Sequence, residues 1–271
     1  MYQILDGKKV SQRVKDELKE QVVSLKQKGI DPGLAVIIVG NDSASRVYVN
    51  NKKKACEYIG IRSEEYALPE ETTQDELLKL VAELNERKDI HGILCQLPLP
   101  KHINEETILY AIDPKKDVDA FHPVNVGKIM IGDFDFLPCT PAGVMDLIEE
   151  SGIDLTGKEC VVVGRSNIVG KPQAMLLLHK NATVTICHSR TKDLADVVSK
   201  ADIVVLDFNK PHLVPCYDVI TNIVFSAQSS DVVLTMVDGD VLYRDGKYKT
   251  IDIGKVFDKI SYYLPKILEQ I

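Results

Sequence analysis

Tyr48 and Lys52 stand four residues apart in "VYVNNKKKACEYIGI" (47–61). Wound as an α-helix at about 100° per residue, the segment puts Tyr48, Lys52, Ala55 and Ile59 on one stripe, at i, i+4, i+7 and i+11. Lys53 and Lys54 turn away from it. Lys52 is therefore a cation on an apolar face beside a phenol. Its stem could pack while the ammonium snorkels to water. Alternatively, desolvation lowers its pKa into the range useful for acid–base chemistry. From this segment alone the snorkelling reading is preferred, and the rest of the chain has to decide.

Further along, "VVVGRSNIVGKP" (161–172) follows an apolar run and precedes a helical one. Gly164 and Gly170 would let backbone N–H groups approach a pyrophosphate at a helix N-terminus. Ser166 stands where a G-x-G-x-x-G motif has its second glycine, so as a bare pattern the signal is weak and a simple loop closure explains it equally well. The next strand-like run ends in "CHSRT" (187–191). An acid there would bind a ribose 2′-hydroxyl, whereas a cation accommodates a 2′-phosphate. The chain offers Ser189 and Arg190, with Arg165 in the glycine turn, and no acid. If the turn binds a dinucleotide, NADP is expected over NAD. "PKKDVDAFHPVNVG" (114–127) carries Asp117 and Asp119. A carboxylate there could accept paired hydrogen bonds from an amino-pyrimidine edge, or both could cap turns. Gln96, in "QLPLP", is either a strand-end amide held rigid by Pro98 or a polar residue leaving a sheet.

These groups need elements to hold them. "LAVIIVG" (34–40), "HGILCQLPLP" (91–100), "CVVVG" (160–164) and "ATVTICHS" (182–189) read as strands. They alternate with helical stretches at the spacing of parallel βαβ units, which gives an α/β protein. "FLPCTPAGVMDLIEESGIDLTGKE" (136–159) reads as a connection with Thr140 as N-cap, Pro141 at the first helical position and Gly152 at the end, placing a domain boundary near 140. After about 205 the texture changes. Two Asp-Gly turn signals, at 238–239 and 245–246, separate β-rich runs and predict an antiparallel hairpin over 232–250. A last amphipathic run ends the chain.

With 271 residues, the chain has room for two modest domains. A formal net charge of −7 argues against a general nucleic-acid binder. No apolar leader or membrane-length run is visible. The six cysteines are scattered without C-x-x-C spacing, and the six histidines form no H-x-H or H-E-x-x-H pair. A cytoplasmic protein without metal or membrane partner is expected.

In order and spacing, "SRVYVNNKKKACEYIGI", "GILCQLPLP", "KDVDAFHPVNVG", "PCTPAGVMDLIE" and "GRSNIVGKPQAMLLL…ATVTICHSRT" resemble the bifunctional methylenetetrahydrofolate dehydrogenase/methenyltetrahydrofolate cyclohydrolases over roughly the first 200 residues. That resemblance implies two α/β domains flanking a cleft, the second a Rossmann-like NADP-binding domain, usually in a homodimer. It implies oxidation of 5,10-methylenetetrahydrofolate with NADP and hydrolysis of the methenyl product to 10-formyltetrahydrofolate. Lys52 would be the catalytic lysine, Tyr48 would stack on the folate, Gln96 would tune the lysine, and Asp119 would hold the pterin edge. Gly164, Arg165, Ser166, Ile168 and Gly170 would form the dinucleotide turn, with Ser189 and Arg190 near the adenosine ribose. A short-chain dehydrogenase built on Tyr48-x-x-x-Lys52 fails on order, because that family's pair follows its glycine turn.

Two departures stand out. The family has glycine after Asp119, and this chain has Ala120. A position needing positive φ would be strained by alanine. After "SKADIVV" the family's G-K-P turn, I-D-V-G strand and glycine-rich cleft loop are missing from their expected places, and "TIDIG" (250–254) comes about 20 residues too late to be that strand. The segment from "DFNKPHLVPCYDV" to "GKYKTID" resembles instead the end of amidohydrolase-superfamily deaminases. The expected division is thus 1–139 for a folate-binding catalytic domain, 140–205 for a truncated NADP-binding domain, and 206–271 for an atypical tail of a hairpin plus a terminal helix. The alternative is a folate- or dinucleotide-binding hybrid with impaired or absent dehydrogenase activity.

Overall fold

A computed structural model of the chain describes residues 5–206 and the backbone of 235–237, 240–244 and 247–248. Two compact units are formed, one from Leu5–Ile153 with Asn167–Leu176, the other from Asp154–Ser166 and the described residues from Leu177 onward.

The first unit begins with α1 (Gly7–Gln27), whose N-terminus is capped by Asp6. Strands β1 (Gly33–Val39), β2 (Arg62–Leu68) and β3 (Gly92–Cys95) follow, separated by α2 (Ser43–Ile59) and α3 (Gln74–Glu86). All pairing is parallel, in the order β2-β1-β3. The central strand is apolar on both faces, as a covered parallel sheet requires. Ala35, Ile37 and Val39 face Leu77, Val81 and Leu84 of α3, while Val36 and Ile38 join Val49 of α2, Leu94 of β3 and Val118. β2 escapes an apolar reading because its charges are satisfied at a distance: Arg62 and Arg87 share Glu64 and Asp89, and Tyr66 also donates to Glu64.

Helices α4 (Glu105–Ala111), α5 (Pro123–Ile131) and α6 (Cys139–Glu150) complete this unit with the first part of α7 (Gly170–His179). α6 starts earlier than the sequence suggests. Pro138 is its N-cap residue, with no side-chain cap bond, and Thr140 lies inside the helix. Pro141 then occupies the first turn, where its missing N–H costs no intrahelical bond.

Gln173 of α7 is fully buried, and its Nε2 donates to the Met145 sulfur of α6 at 3.3 Å. Its Oε1 has no hydrogen-bond partner among the described residues. Gln173→Met, nearly isosteric, should therefore stabilise the chain by about 1 kcal/mol, read as a higher urea midpoint at unchanged m-value. A lower midpoint would show that the amide is satisfied in solution.

The second unit repeats the scheme with β4 (Glu159–Val163), β5 (Thr183–Cys187) and β6 (Ile203–Leu206), parallel in the order β5-β4-β6. The short α8 (Leu194–Val198) packs Val198 and Leu194 against Val161 and Cys187. The tail contributes antiparallel strands β7 (Thr235–Val237), β8 (Asp240–Arg244) and β9 (Lys247–Tyr248). Val237 pairs with Asp240 and Arg244 with Lys247, so two antiparallel pairings flank the two Asp-Gly dipeptides as expected. Those dipeptides and the expected terminal helix lie outside the described residues.

Candidate active site

In both sheets the chain leaves the central strand toward one neighbour and returns across it to the other. The crevice at the carboxyl end of the central strand is where open α/β sheets bind ligands. In the first unit that end leads into α2. Asp42 caps the helix by accepting from the Ser45 backbone at 2.7 Å, and Gly60 ends it with φ 88°. The buried face of α2 is Ser45, Val49, Cys56 and Ile59, not the predicted stripe through Tyr48. Lys52 falls on the Val49–Cys56–Ile59 line and is half-buried, while Tyr48 stands at its edge, 63% exposed. The helix tilts its apolar seam one residue away from the expected line, which leaves the phenol ring open to a ligand.

β3 ends at Cys95, and Gln96 continues the pairing by donating its backbone N–H to Ile37. Its side-chain Nε2 donates to the Leu97 carbonyl at 2.8 Å. Because that carbonyl can only accept, the amide orientation is fixed and Oε1 faces Lys52, whose Nζ donates to it at 3.0 Å. An amide oxygen accepts equally from an ammonium and from a neutral amine. The pair thus orients the lysine nitrogen in either protonation state.

Asp119 arrives from a different direction. The Lys116 carbonyl accepts from Ile93 at 2.7 Å and Asp117 bridges to Ile93, so this segment lies beside β3 like a short fourth strand. Gly92 makes that approach possible, since a Cβ there would stand 2.5 Å from Val118 Cγ1. Asp117 is buried and structural. Its Oδ2 accepts from the His122 backbone and from Asn125 Nδ2 at 2.8 and 2.9 Å. Ala120 closes the bend with φ 56°, the left-handed region that costs an alanine about 1 kcal/mol. The missing glycine is therefore felt in the backbone.

The Asp119 carboxylate itself makes no hydrogen bond among the described residues. Burial pushes it up to about 6, the Lys52 charge opposes that rise, and Asp117 adds to it. Cys139, at the start of α6, belongs to the same neighbourhood although the sequence offered only a scattered cysteine. The residue is open to solvent, yet its thiol is raised, by crowding first and then by Asp119, with Lys52 opposing. Tyr48, Lys52, Gln96 and Asp119 all belong to the first unit, where Lys52 meets Gln96 directly and Asp119 through its field.

In the second unit, Gly164 follows β4 with φ 149°, a conformation open in practice to glycine alone. Its N–H donates to the Cys187 carbonyl at 2.9 Å, tying the glycine turn to the end of β5. Arg165, Ser166, Ser189 and Arg190 thus sit at the carboxyl ends of neighbouring strands. Neither Arg165 nor Arg190 forms an ion pair among the described residues, and both are exposed. Thr191 Oγ1 and His188 Nδ1 accept from the backbones of His188 and Arg190 and hold the loop. Ile168 and Gly170 lie at the entry to α7 and group with the first unit. Among the described residues no set of three or more His, Cys, Asp or Glu could hold a metal, and no helix is long and apolar enough to cross a membrane.

A glycine turn followed by exposed arginines at the strand ends of one sheet, with an amide-oriented lysine and a carboxylate without a hydrogen bond among the described residues on another, marks a two-unit α/β enzyme with an NAD(P)-binding domain. The family profile "Tetrahydrofolate dehydrogenase/cyclohydrolase, catalytic domain" matches residues 5–119, and the profile for its NAD(P)-binding domain matches 138–253. Bifunctional protein FolD of Acetivibrio thermocellus is 67% identical over 211 residues, 78% of this chain and 74% of the relative. The Campylobacter jejuni bifunctional enzyme FolD superposes with TM-score 0.74 at 51% identity, over 76% of this chain and 73% of that one. The Trypanosoma brucei enzyme, solved with NADP cofactor and an inhibitor, gives TM-score 0.73 at 42% identity, over 78% and 73%. The chain belongs to the tetrahydrofolate dehydrogenase/cyclohydrolase family.

Proposed function

We propose that the chain oxidises 5,10-methylenetetrahydrofolate with NADP and hydrolyses the resulting methenyl compound to 10-formyltetrahydrofolate. The observation that carries this is the Lys52–Gln96 pair standing in the field of a carboxylate that makes no hydrogen bond among the described residues. Asp119 would accept from the amino and ring N–H groups of the pterin, and the exposed Tyr48 ring would stack on it. Lys52 would move the proton as water adds to the methenyl carbon. Arg165 and Arg190, without an acid at the end of β5, would take the 2′-phosphate of NADP, with Ser189 beside the ribose and Gly164, Ser166, Ile168 and Gly170 forming the turn. The division into 1–139, 140–205 and 206–271 is supported at its first boundary by the gap between the two profiles, from 119 to 138. A homodimer is supported by the family resemblance. Five free cysteines among the described residues support a reducing, cytoplasmic setting.

One observation favours a second reading, a dehydrogenase-impaired hybrid: the strong identity spans only 211 residues. Its tail would be the amidohydrolase-like segment after Val205, against which stands the second profile, running to 253.

Spectrophotometric turnover of methylenetetrahydrofolate with NADP, run beside methenyl hydrolysis without nucleotide, tests both readings. Both activities, with NADP bound more tightly than NAD in calorimetric titration, are expected. Tighter NAD binding would overturn the cofactor assignment. Hydrolysis without hydride transfer, restored by exchanging the residues after Val205 for a family-type ending, would establish the hybrid. Absence of both would sink the folate reading.

A further inference from the structure

We propose that Lys116 is a positioning residue for Asp119, fixing the folate-facing carboxylate by clamping its loop to the carboxyl end of α3. The inference rests on the folate reading of this site.

Lys116 Nζ donates to the carbonyls of Leu84, Asn85 and Arg87 at 3.0, 2.6 and 2.7 Å. An ammonium has three N–H donors, so none is left for a substrate or a proton relay. The acceptors are the orphan carbonyls at the end of α3, where a cation also meets the negative end of the helix. α3 has no basic residue in its last turn, and its C-cap residue Arg87 is committed to Glu64 and Asp89. The charge comes instead from about 30 residues away in sequence.

Two residues, Asp117 and Val118, separate this clamp from Asp119. Between them, the Lys116 carbonyl takes the Ile93 N–H and Val118 packs against the cluster of Val36, Ile38, Leu94 and Val49, the last of these one turn before Lys52. Beyond Asp119 comes the left-handed Ala120, a conformation that persists only where the surroundings over-determine it. The chain around Asp119 is thus held at Lys116 before it and through Asp117, His122 and Asn125 around it. A second staple, Asn85 accepting from the Asp113 N–H and donating to the Ala111 carbonyl, keeps the neighbouring segment attached when Lys116 is altered.

The test uses the full chain. Lys116→Met should raise KM for 5,10-methenyltetrahydrofolate about tenfold, as expected for a binding group displaced by a fraction of an ångström. Hydrolytic kcat should change by less than about twofold, the pattern of lost uniform binding, and KM for NADP in the oxidation should stay at the parental value. Lys116→Arg, whose fork can meet some of these carbonyls, should recover part of the KM. If Met at this position prevents folding, the Arg variant decides alone, with an intermediate KM expected. A parental folate KM accompanied only by a lower unfolding midpoint would reduce Lys116 to a helix cap and overturn the proposal, as would equal losses for folate and NADP. An inactive parent chain would instead count against the folate reading itself.

Discussion

Lys52→Met is expected to remove hydrolysis of 5,10-methenyltetrahydrofolate, lowering kcat by about 10²–10⁴-fold, the usual contribution of a positioned acid–base group. Methionine keeps the unbranched stem and loses the nitrogen. The buried neighbours Val49, Cys56 and Ile59 carry the helix seam without it. Gln96 Oε1, in a half-buried residue, can take water in place of the lysine donor. Stability should therefore stay within about 0.5 kcal/mol of the parent. The decay of methenyl absorbance, with circular dichroism as the control for folding, measures both. A variant that hydrolyses at the parental rate would leave Lys52 a snorkelling surface cation.

Asp119→Asn should move activity and stability in opposite directions. Burial, against the pull of Lys52, holds the carboxyl up at about 6. The folded chain thus binds this proton more tightly than the unfolded one, whose carboxyl titrates near 4. Stability from this group is fully present below the unfolded value and is lost as pH rises through about 6. Asparagine removes that loss, so the variant should match the parent near pH 4 and exceed it at pH 8. The charged acceptor disappears at the same time. A hydrogen bond to a charged group contributes about 1.5–3 kcal/mol, so kcat/KM at pH 8 should fall by about 10- to 100-fold. The parental kcat/KM should rise with pH through about 6, and that step should be missing in the variant. Urea titrations at the two pH values and a pH–rate profile give both halves. A parental profile in Asp119→Asn would place the titration elsewhere and remove Asp119 from the site.

What could be read from the sequence was whatever is local. Gly164 and Arg190 announce themselves because a strand, a turn and the next strand end lie within one βαβ unit. The four-residue spacing of Tyr48 and Lys52 pointed to one helix surface, although the true seam runs through Val49 and the phenol stands outside it. Glu64 and Arg87 hid β2, since a strand whose charges are answered 23 positions away has no apolar alternation to show. Lys116 was opaque for the same reason, as the carbonyls it serves lie on α3. Cys139 gave no spacing signal at all; only the fold sets its thiol in the fields of Asp119 and Lys52. Ala120 was the exception, flagged as a position where glycine would be at ease and found at φ 56°.

The two three-stranded sheets share one wiring, the central strand first and its neighbours added on either side. Each owns its crevice, and this has a genetic consequence. Lesions should fall into a hierarchy instead of two symmetric classes. On the proposed roles, damage around β1, α2 and β3 should remove the folate and with it both reactions. Damage confined to β4 and β5 should spare a chain that still opens the methenyl ring. In a host that obtains methenyltetrahydrofolate by another route, selection for the formyl product alone should tolerate substitutions at Arg165 and Arg190 and reject them at Lys52. A host dependent on this chain for both steps should reject all three.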